Sequence, residues 1–444
     1  MKLDSKMKKV LIALCSFLFV CIIVFPFIHN VPLTPFHPDE NYWILESKYY
    51  KLLIFDKQPL WKFSRDPNSD RWILMTLCDQ PCVAKIIFIT VSNIFCYDMG
   101  MINLSRWYFT RDVQYNMSRN TVPHKNVLHF YRYIVSSFAI LGCIIVFFIG
   151  MKVSHVCTGI LAAVSMAYSP LMILCSTRAM ADGILIFFLV LSVYAMIIFL
   201  TYLLKDRYDT ALLSSFMVGI AGGLATGTKL NGGISIITFM ALCSVLFVIG
   251  LGRVLKNKGY MFKNIFRDRS MRIIVLAMFL AAITAFSVFI LVDPFLHDMP
   301  IQKSMIMIDS RIEAIQYQRA TFGATLNNFM ERIVYVWKIF FSESGTYAPF
   351  KNRFHIPTFF ILFLAGISLM VNDEFRYMAK NGRCSFRLLI LIWFFTTLAV
   401  LLCALSIGWD RYVLPLLPPL SLLFGYSIEG LLRRVLKMRH RRII

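Results

Sequence analysis

Hydrophobic stretches of about twenty residues recur along the chain, and they constrain its fold more than any other feature. A helix of about twenty apolar residues is long enough to cross the hydrocarbon core of a bilayer. The composition agrees, because 58% of the 444 residues are hydrophobic and 16% are charged, less charge than a soluble protein of this length exposes. The sequence therefore predicts an all-α polytopic membrane protein, a bundle of about ten transmembrane helices. The predicted spans are 9–29, 132–151, 156–174, 181–204, 210–228, 230–252, 272–292, 355–371, 386–406 and 412–432.

The positions of the basic residues predict the orientation of these spans. If the amino terminus is cytoplasmic, the short basic clusters all fall on the cytoplasmic side, as the positive-inside rule requires. The net charge of +22 then reflects cytoplasmic loops near anionic headgroups, and no nucleic-acid partner is predicted. The predicted organisation is a cytoplasmic tail and first transmembrane helix (1–29), a long outer loop (30–131), transmembrane helices 2–7 (132–292), a second outer loop (293–354), and transmembrane helices 8–10 with a basic cytoplasmic tail (355–444).

The first outer loop is too long to be a simple connector. Residues 40–53 and 83–95 have the amphipathic pattern of helices that lie in the headgroup plane, which predicts a helical first outer loop. In the second outer loop, polar residues could shape an acceptor site, although an amphipathic helix explains them as well. These residues are His297, Asp298, Gln302 and Arg311.

The motif His37-Pro38-Asp39-Glu40 follows the first hydrophobic stretch directly. Carboxylates next to a membrane span are costly to desolvate, so the pair indicates a functional site. The alternative is a hydrated acidic patch in the first turn of a surface helix, where the helix dipole favours negative charge.

Four further charged residues are predicted at the outer ends of later spans: Arg178, Asp182, Lys229 and Arg411. Carboxylates beside cations are the groups needed to bind a phosphate and to deprotonate a hydroxyl. The alternative is a set of structural pairs, for example Arg178 with Asp182 at helical spacing. Several charges on one face favour a site over isolated pairs.

Five sequence motifs occur in a fixed order along the chain: Asp39-Glu40, Gln80-Pro81-Cys82-Val83-Ala84-Lys85, Arg178 with Asp182, Gly223 to Lys229, and Arg411-Tyr412 with Pro415. Together they resemble the GT-C superfamily of glycosyltransferases, in particular the branch of the protein O-mannosyltransferases (dolichyl-phosphate-mannose-protein mannosyltransferase-like) and aminoarabinose transferases. Two motifs depart from the family pattern, because Cys82 stands in place of a second proline and Arg178 and Asp182 are one residue closer together. The resemblance covers roughly residues 1–250 and 405–435, and it depends on the order of the motifs and on the side of the membrane where they lie. The sequence His-Pro-Asp-Glu also resembles the mannosyltransferases that build lipid-linked glycans.

The resemblance implies a GT-C-type bundle that transfers one sugar, with inversion, from a polyprenyl-phosphate-linked donor on the outer face of the membrane. The acceptor it implies is a protein, a lipid or a glycan. In this interpretation Asp39 is the general base, Glu40 orients the acceptor or the base, and the cations bind the phosphate leaving group. The predicted residues are Asp39 and Glu40 (catalytic), Arg178, Lys229 and Arg411 (donor phosphate), and His37, Lys85 and Asp182 (supporting).

No cofactor is predicted. His37 with Asp39 could ligate a divalent metal, but one histidine and two carboxylates two or three residues apart offer few ligands. The alternative function is a lipid-linked sugar transporter or flippase, because charged spans and paired glycines suit a transporter too. We find no repeat between the halves of the sequence, and the long outer loop favours an enzyme. A bacterial inner (plasma) membrane is the preferred location, or the endoplasmic reticulum if the protein is eukaryotic.

Overall fold

The computed structural model describes residues 5–54, 80–97, 104–109, 111–258, 268–323, 325–341 and 358–441. Helices form the framework of this part of the chain, and an isolated β-bridge joins Thr325 to Ile407. The helices are α1 (Ser5–Asn30), α2 (Pro38–Ile54), α3 (Val83–Ile94), α4 (Val113–Ser118), α5 (Lys125–Val153), α6 (Val156–Ala167), α7 (Pro170–Ser176), α8 (Asp182–Leu204), α9 (Tyr208–Thr228), α10 (Ile234–Lys258), α11 (Arg269–Val292), α12 (Pro300–Phe322), α13 (Phe329–Phe341), α14 (Thr358–Asn381), α15 (Phe386–Ala404) and α16 (Leu417–Arg441).

Eight of the described helices are long and apolar enough to cross a bilayer, and the bent pair of α6 and α7 makes a ninth span. The two helices of that pair meet at 60°. The bend lies at Ser169-Pro170, where the proline ring cannot continue the helix and the Ser169 side chain caps α7. The remaining predicted span, 355–371, corresponds to α14, which carries Asp373 and Glu374 in its second half. The all-α membrane fold is therefore confirmed.

The core of the bundle is formed around α8, whose inward residues are fully buried. α9 packs closely on α8 and on α11. A Cβ atom added at Gly223 would lie 2.7 Å from the backbone oxygen of Ala285 on α11, so only a residue without a side chain allows this approach. Large apolar side chains on α1, such as Phe17, are exposed, as expected for a surface that faces lipid.

α2 and α3 correspond to the two amphipathic segments expected in the first outer loop. They pack on each other and on the start of α5, where Ile44, Phe88 and Tyr131 are fully buried in one hydrophobic cluster. α12 and α13 lie in the predicted second outer loop. These four helices cover the end of the bundle that carries the predicted site residues.

Candidate active site

The motif His37-Pro38-Asp39-Glu40 begins α2 as a capping box. The Nδ1 atom of His37 accepts a hydrogen bond of 3.2 Å from the backbone N–H of Asp39, and Glu40 Oε2 accepts one of 2.9 Å from the backbone N–H of His37. Pro38 occupies the first helical position, where its missing N–H has no cost. Two of the four residues thus fix the start of the helix, which leaves Asp39 to face the cavity described below.

Glu40 is fully buried and its carboxylate is saturated with donors. Arg132 of α5 donates from Nε and from a terminal nitrogen, each at 2.8 Å, and the backbone N–H of Ala179 donates at 2.7 Å. Together with the bond from His37, these contacts join the start of α2 to α5 and to the connection between α7 and α8. Glu40 therefore contacts no part of the cavity and holds Asp39 in position.

Arg132 was not predicted as part of the site, although it organises the turn before α2. It also donates to the backbone oxygens of Val31, Thr34 and Pro35, so one buried guanidinium fixes the chain on both sides of that turn. Its sequence signal was a cation at the start of the second predicted span, a position where charge is costly. Its partner is 92 residues away in sequence, so the spacing does not reveal the pair.

Asp39 forms an ion pair with Arg411, and its side chain remains 21% exposed. Burial raises the pKa of Asp39, but the Arg411 guanidinium and the Lys229 ammonium outweigh this effect and hold the pKa below its ordinary value. The carboxylate is therefore ionised at neutral pH. The Arg411 guanidinium also lies 4.6 Å from the centre of the Trp409 ring, which keeps it next to Asp39.

Lys229 donates a hydrogen bond of 2.6 Å to the almost fully buried Asp182. Lys229 lies in an extended link between α9 and a 3₁₀ turn, and Asp182 begins α8, where the helix dipole favours a carboxylate. The structure does not contain the alternative Arg178–Asp182 ion pair, because Asp182 pairs with Lys229 instead.

Arg178 and Lys85, two further predicted residues, lie outside the cavity. Arg178 is close to His37, and burial together with the charges of Arg178 and Arg411 lowers the pKa of His37, against the opposing effect of Asp39. The Nε atom of Arg178 is buried and has no hydrogen-bond partner among the described residues.

Lys85 is fully buried on α3 and forms an ion pair of 2.7 Å with Glu46 of α2. Its ammonium group lies 5.5 Å from the centre of the Trp43 ring and 4.9 Å from that of Tyr50. Its contacts therefore hold α2 and α3 together and support Trp43, which lines the cavity.

A cavity of about 410 Å³ joins the charged residues to an apolar wall. At its polar end lie Asp39, Lys229, Arg411 and Arg311, the last of which comes from α12 and donates to the hydroxyl of Tyr412. Ile237, also part of the lining, is 47% exposed, so the cavity reaches the lipid-facing surface of α10. The apolar lining comprises Leu230, Ile234, Ile237, Ile315, Val400, Leu401, Ala404, Leu405 and Ile407.

Within the described ranges, no group of three or more His, Cys, Asp or Glu side chains is arranged to hold a metal ion. His37 Nδ1 is already engaged with a backbone N–H. The absence of a cofactor stays a prediction.

Residues 99–298, less than half of the chain, match the family model for dolichyl-phosphate-mannose-protein mannosyltransferase. No curated protein sequence matches the chain. Solved structures similar to it include the following two. One is the archaeal oligosaccharyltransferase AglB from Archaeoglobus fulgidus in complex with an inhibitory peptide and a dolichol-phosphate, with a TM-score of 0.54 and 13% identity over 97% of this chain and 52% of that one. The other is ArnT from Cupriavidus metallidurans bound to undecaprenyl phosphate, with a TM-score of 0.52 and 13% identity over 93% of this chain and 60% of that one.

These matches confirm the predicted resemblance to the GT-C glycosyltransferases and the GT-C-type fold. The chain spans only part of the length of both solved relatives, about half of the archaeal one.

Proposed function

We propose that the chain is a membrane glycosyltransferase that moves a single sugar, with inversion, from a polyprenyl-phosphate-linked donor to an acceptor on the outer face of the membrane. One observation carries the proposal: a single cavity joins the ionised Asp39, the cations Lys229 and Arg411, and an apolar wall that reaches the lipid-facing surface. A lipid-linked sugar phosphate has three parts that complement these features, namely a sugar that reacts beside the carboxylate, an anion for the cations and a long chain for the apolar wall.

The donor fits this arrangement by charge and by polarity. Lys229, Arg311 and Arg411 lie at the polar end of the cavity, where Asp182 pairs with Lys229 and Asp39 with Arg411. Three cations against two carboxylates leave an excess of positive charge that a phosphate offsets. The prenyl chain would follow the wall between α10 and α15 towards the bilayer. Arg178, with its unpartnered buried Nε, adds positive charge behind His37 and remains our candidate for a supporting role at the phosphate.

In the proposed reaction, Asp39 accepts the proton of the acceptor hydroxyl while the hydroxyl oxygen forms its bond to the anomeric carbon. The bond between that carbon and the phosphate oxygen breaks, and its electron pair leaves with the polyprenyl phosphate. Lys229 stabilises the charge that develops on the leaving phosphate, and Arg411 does so once it has exchanged its pair with Asp39 for the phosphate. Because acceptor and phosphate lie on opposite faces of the sugar, the anomeric configuration inverts.

The solved relatives support the class of donor, since one is bound to undecaprenyl phosphate and the other to a dolichol-phosphate. We propose the same ligand chemistry here, with a protein, a lipid or a glycan as acceptor. A bacterial inner membrane is our preferred location, and the endoplasmic reticulum applies if the protein is eukaryotic.

The test is transfer of a labelled sugar. Membranes that contain the protein and its natural acceptors are incubated with polyprenyl phosphates that carry different radiolabelled sugars. The label is expected to become covalently attached to an acceptor. A transporter would instead move the intact donor across sealed vesicles without forming a new glycosidic bond. Movement of this kind without transfer would overturn the enzyme proposal.

A further inference from the structure

The 3₁₀ turn Leu230–Gly233 follows Lys229 directly and forms part of the cavity lining. It is held against the end of α9, because a Cβ atom added at Gly232 would lie 2.2 Å from the backbone of Ala225. The backbone N–H of Gly232 donates to Lys229 at 2.8 Å, and Ser235 donates to the backbone oxygen of Gly232 at 3.0 Å. The turn therefore has little freedom to move, and it fixes the residues at its tip relative to Lys229.

Asn231 lies at the tip of this turn and lines the cavity. Its Oδ1 atom is buried and has no hydrogen-bond partner among the described residues. A buried acceptor without a donor is costly, and native proteins leave few of them. Asn231 as a whole is half-buried and lines the cavity, so a rotation of its amide group would present this acceptor to a hydroxyl donor of a ligand.

The surroundings of Asn231 indicate which part of a ligand this is. Asp39 and Trp43, one helical turn apart on α2, line the same cavity, as does Gln80. An indole ring beside amide and carboxylate groups suits a sugar, which presents both apolar C–H faces and hydroxyl donors. The apolar wall between α10 and α15 offers no such partners.

We propose that Asn231 recognises the transferred sugar: its Oδ1 accepts a hydrogen bond from a hydroxyl group of the donor monosaccharide while Lys229, two residues earlier, binds the phosphate. The inference rests on the proposed function and adds to it a residue that selects the sugar. A site built to bond a hydroxyl discriminates against an analogue that lacks it, because the buried acceptor is then left without a partner.

The test separates binding of the sugar from binding of the lipid phosphate. The full chain in nanodiscs is titrated with bare polyprenyl phosphate and with polyprenyl phosphates bearing mannose, glucose, galactose or 4-amino-4-deoxyarabinose. The best sugar-bearing lipid should bind more tightly than the bare lipid. Asn231→Ala should reduce its affinity by about tenfold and leave the affinity for bare lipid unchanged. Asn381→Ala, an exposed asparagine at the end of α14, is the matched control and should change neither affinity.

Monodeoxy analogues of the best sugar identify the hydroxyl. One analogue should lose about tenfold in the unsubstituted protein and nothing further in Asn231→Ala. Equal loss for bare and sugar-bearing lipid in Asn231→Ala, or no loss for either, would overturn the role of Asn231 while the proposed function stands. Failure of the unsubstituted chain to bind bare polyprenyl phosphate would overturn both.

Discussion

Substitution of Glu40 should destabilise the protein far more than an ordinary loss of charge. In Glu40→Gln, the amide group places N–H donors where Arg132 and backbone N–H groups now donate, and the buried guanidinium loses its counter-charge. Breaking a buried ion pair of this kind typically costs about 3–5 kcal/mol. Asp298→Asn is the matched control, because that carboxylate is 76% exposed in its pair with Lys303 and exposed pairs contribute about 1 kcal/mol or less.

Thermal unfolding of the purified variants in detergent, followed by tryptophan fluorescence, measures this difference. Glu40→Gln should melt well below the unsubstituted protein, and Asp298→Asn should melt with it. A double variant in which apolar residues replace both Glu40 and Arg132 should regain only part of the loss, because no charge is then left buried but the backbone groups that the pair satisfies remain unpaired. If Glu40→Gln instead melts normally but has no transferase activity, Glu40 takes part in the chemistry and our assignment of it is wrong.

Three further predictions concern the phosphate site, the pH dependence of stability and the topology. Lys229→Met should weaken binding of polyprenyl phosphate by tenfold or more, on the order of the loss of one charge-assisted hydrogen bond, and unchanged binding in a titration would contradict a phosphate role. Burial raises the pKa of Asp293 from 3.8 to about 6, so the stability it contributes is present below about pH 4 and is lost as pH rises through about 6. Melting temperatures between about pH 4 and 8 should therefore depend less on pH in Asp293→Asn, and an identical dependence would refute the assignment. Cysteines introduced at Asp112 and Asn381 should react with impermeant reagents from opposite sides of sealed vesicles, whereas labelling of both from one side would refute the orientation.

Hydropathy predicted the spans well because burial in lipid leaves a strong signal over about twenty residues. The predictions failed locally where polar residues belong to a helix. α5 begins at Lys125, seven residues before the predicted span, because Lys125, Asn126 and His129 lower the hydropathy of its first two turns. Arg132 lowers it further, although this side chain is buried in a pair with the distant Glu40. The bend at Ser169-Pro170 had a signal in the sequence, because a proline inside an apolar stretch interrupts the helix.

The location of the candidate site was predictable from the sequence, but the contacts of its individual residues were less so. Asp39, Lys229 and Arg411 lie in one cavity, as the common face of the membrane suggested. The capping role of Glu40 could have been inferred from its place at the third residue of α2, as in a capping box, whereas His37 is not one of the usual N-cap residues of that pattern. The partners of Glu40, Arg132 and the backbone N–H of Ala179, were not predictable, because they lie far from Glu40 in the sequence.

The most direct test of the account separates donor binding from transfer in Asp39→Asn. Asparagine keeps the shape of the side chain but cannot accept the proton, so transfer should slow by on the order of a hundred- to ten-thousand-fold. Binding of the polyprenyl-phosphate sugar should persist, because Lys229 remains and Arg411, which loses its carboxylate partner, stays available to the phosphate. Asp209→Asn is the matched control, since Asp209 is an exposed aspartate in the first turn of α9, and it should transfer sugar normally. Normal turnover by purified Asp39→Asn would contradict the assignment of Asp39 as the base, and with it the account's central claim.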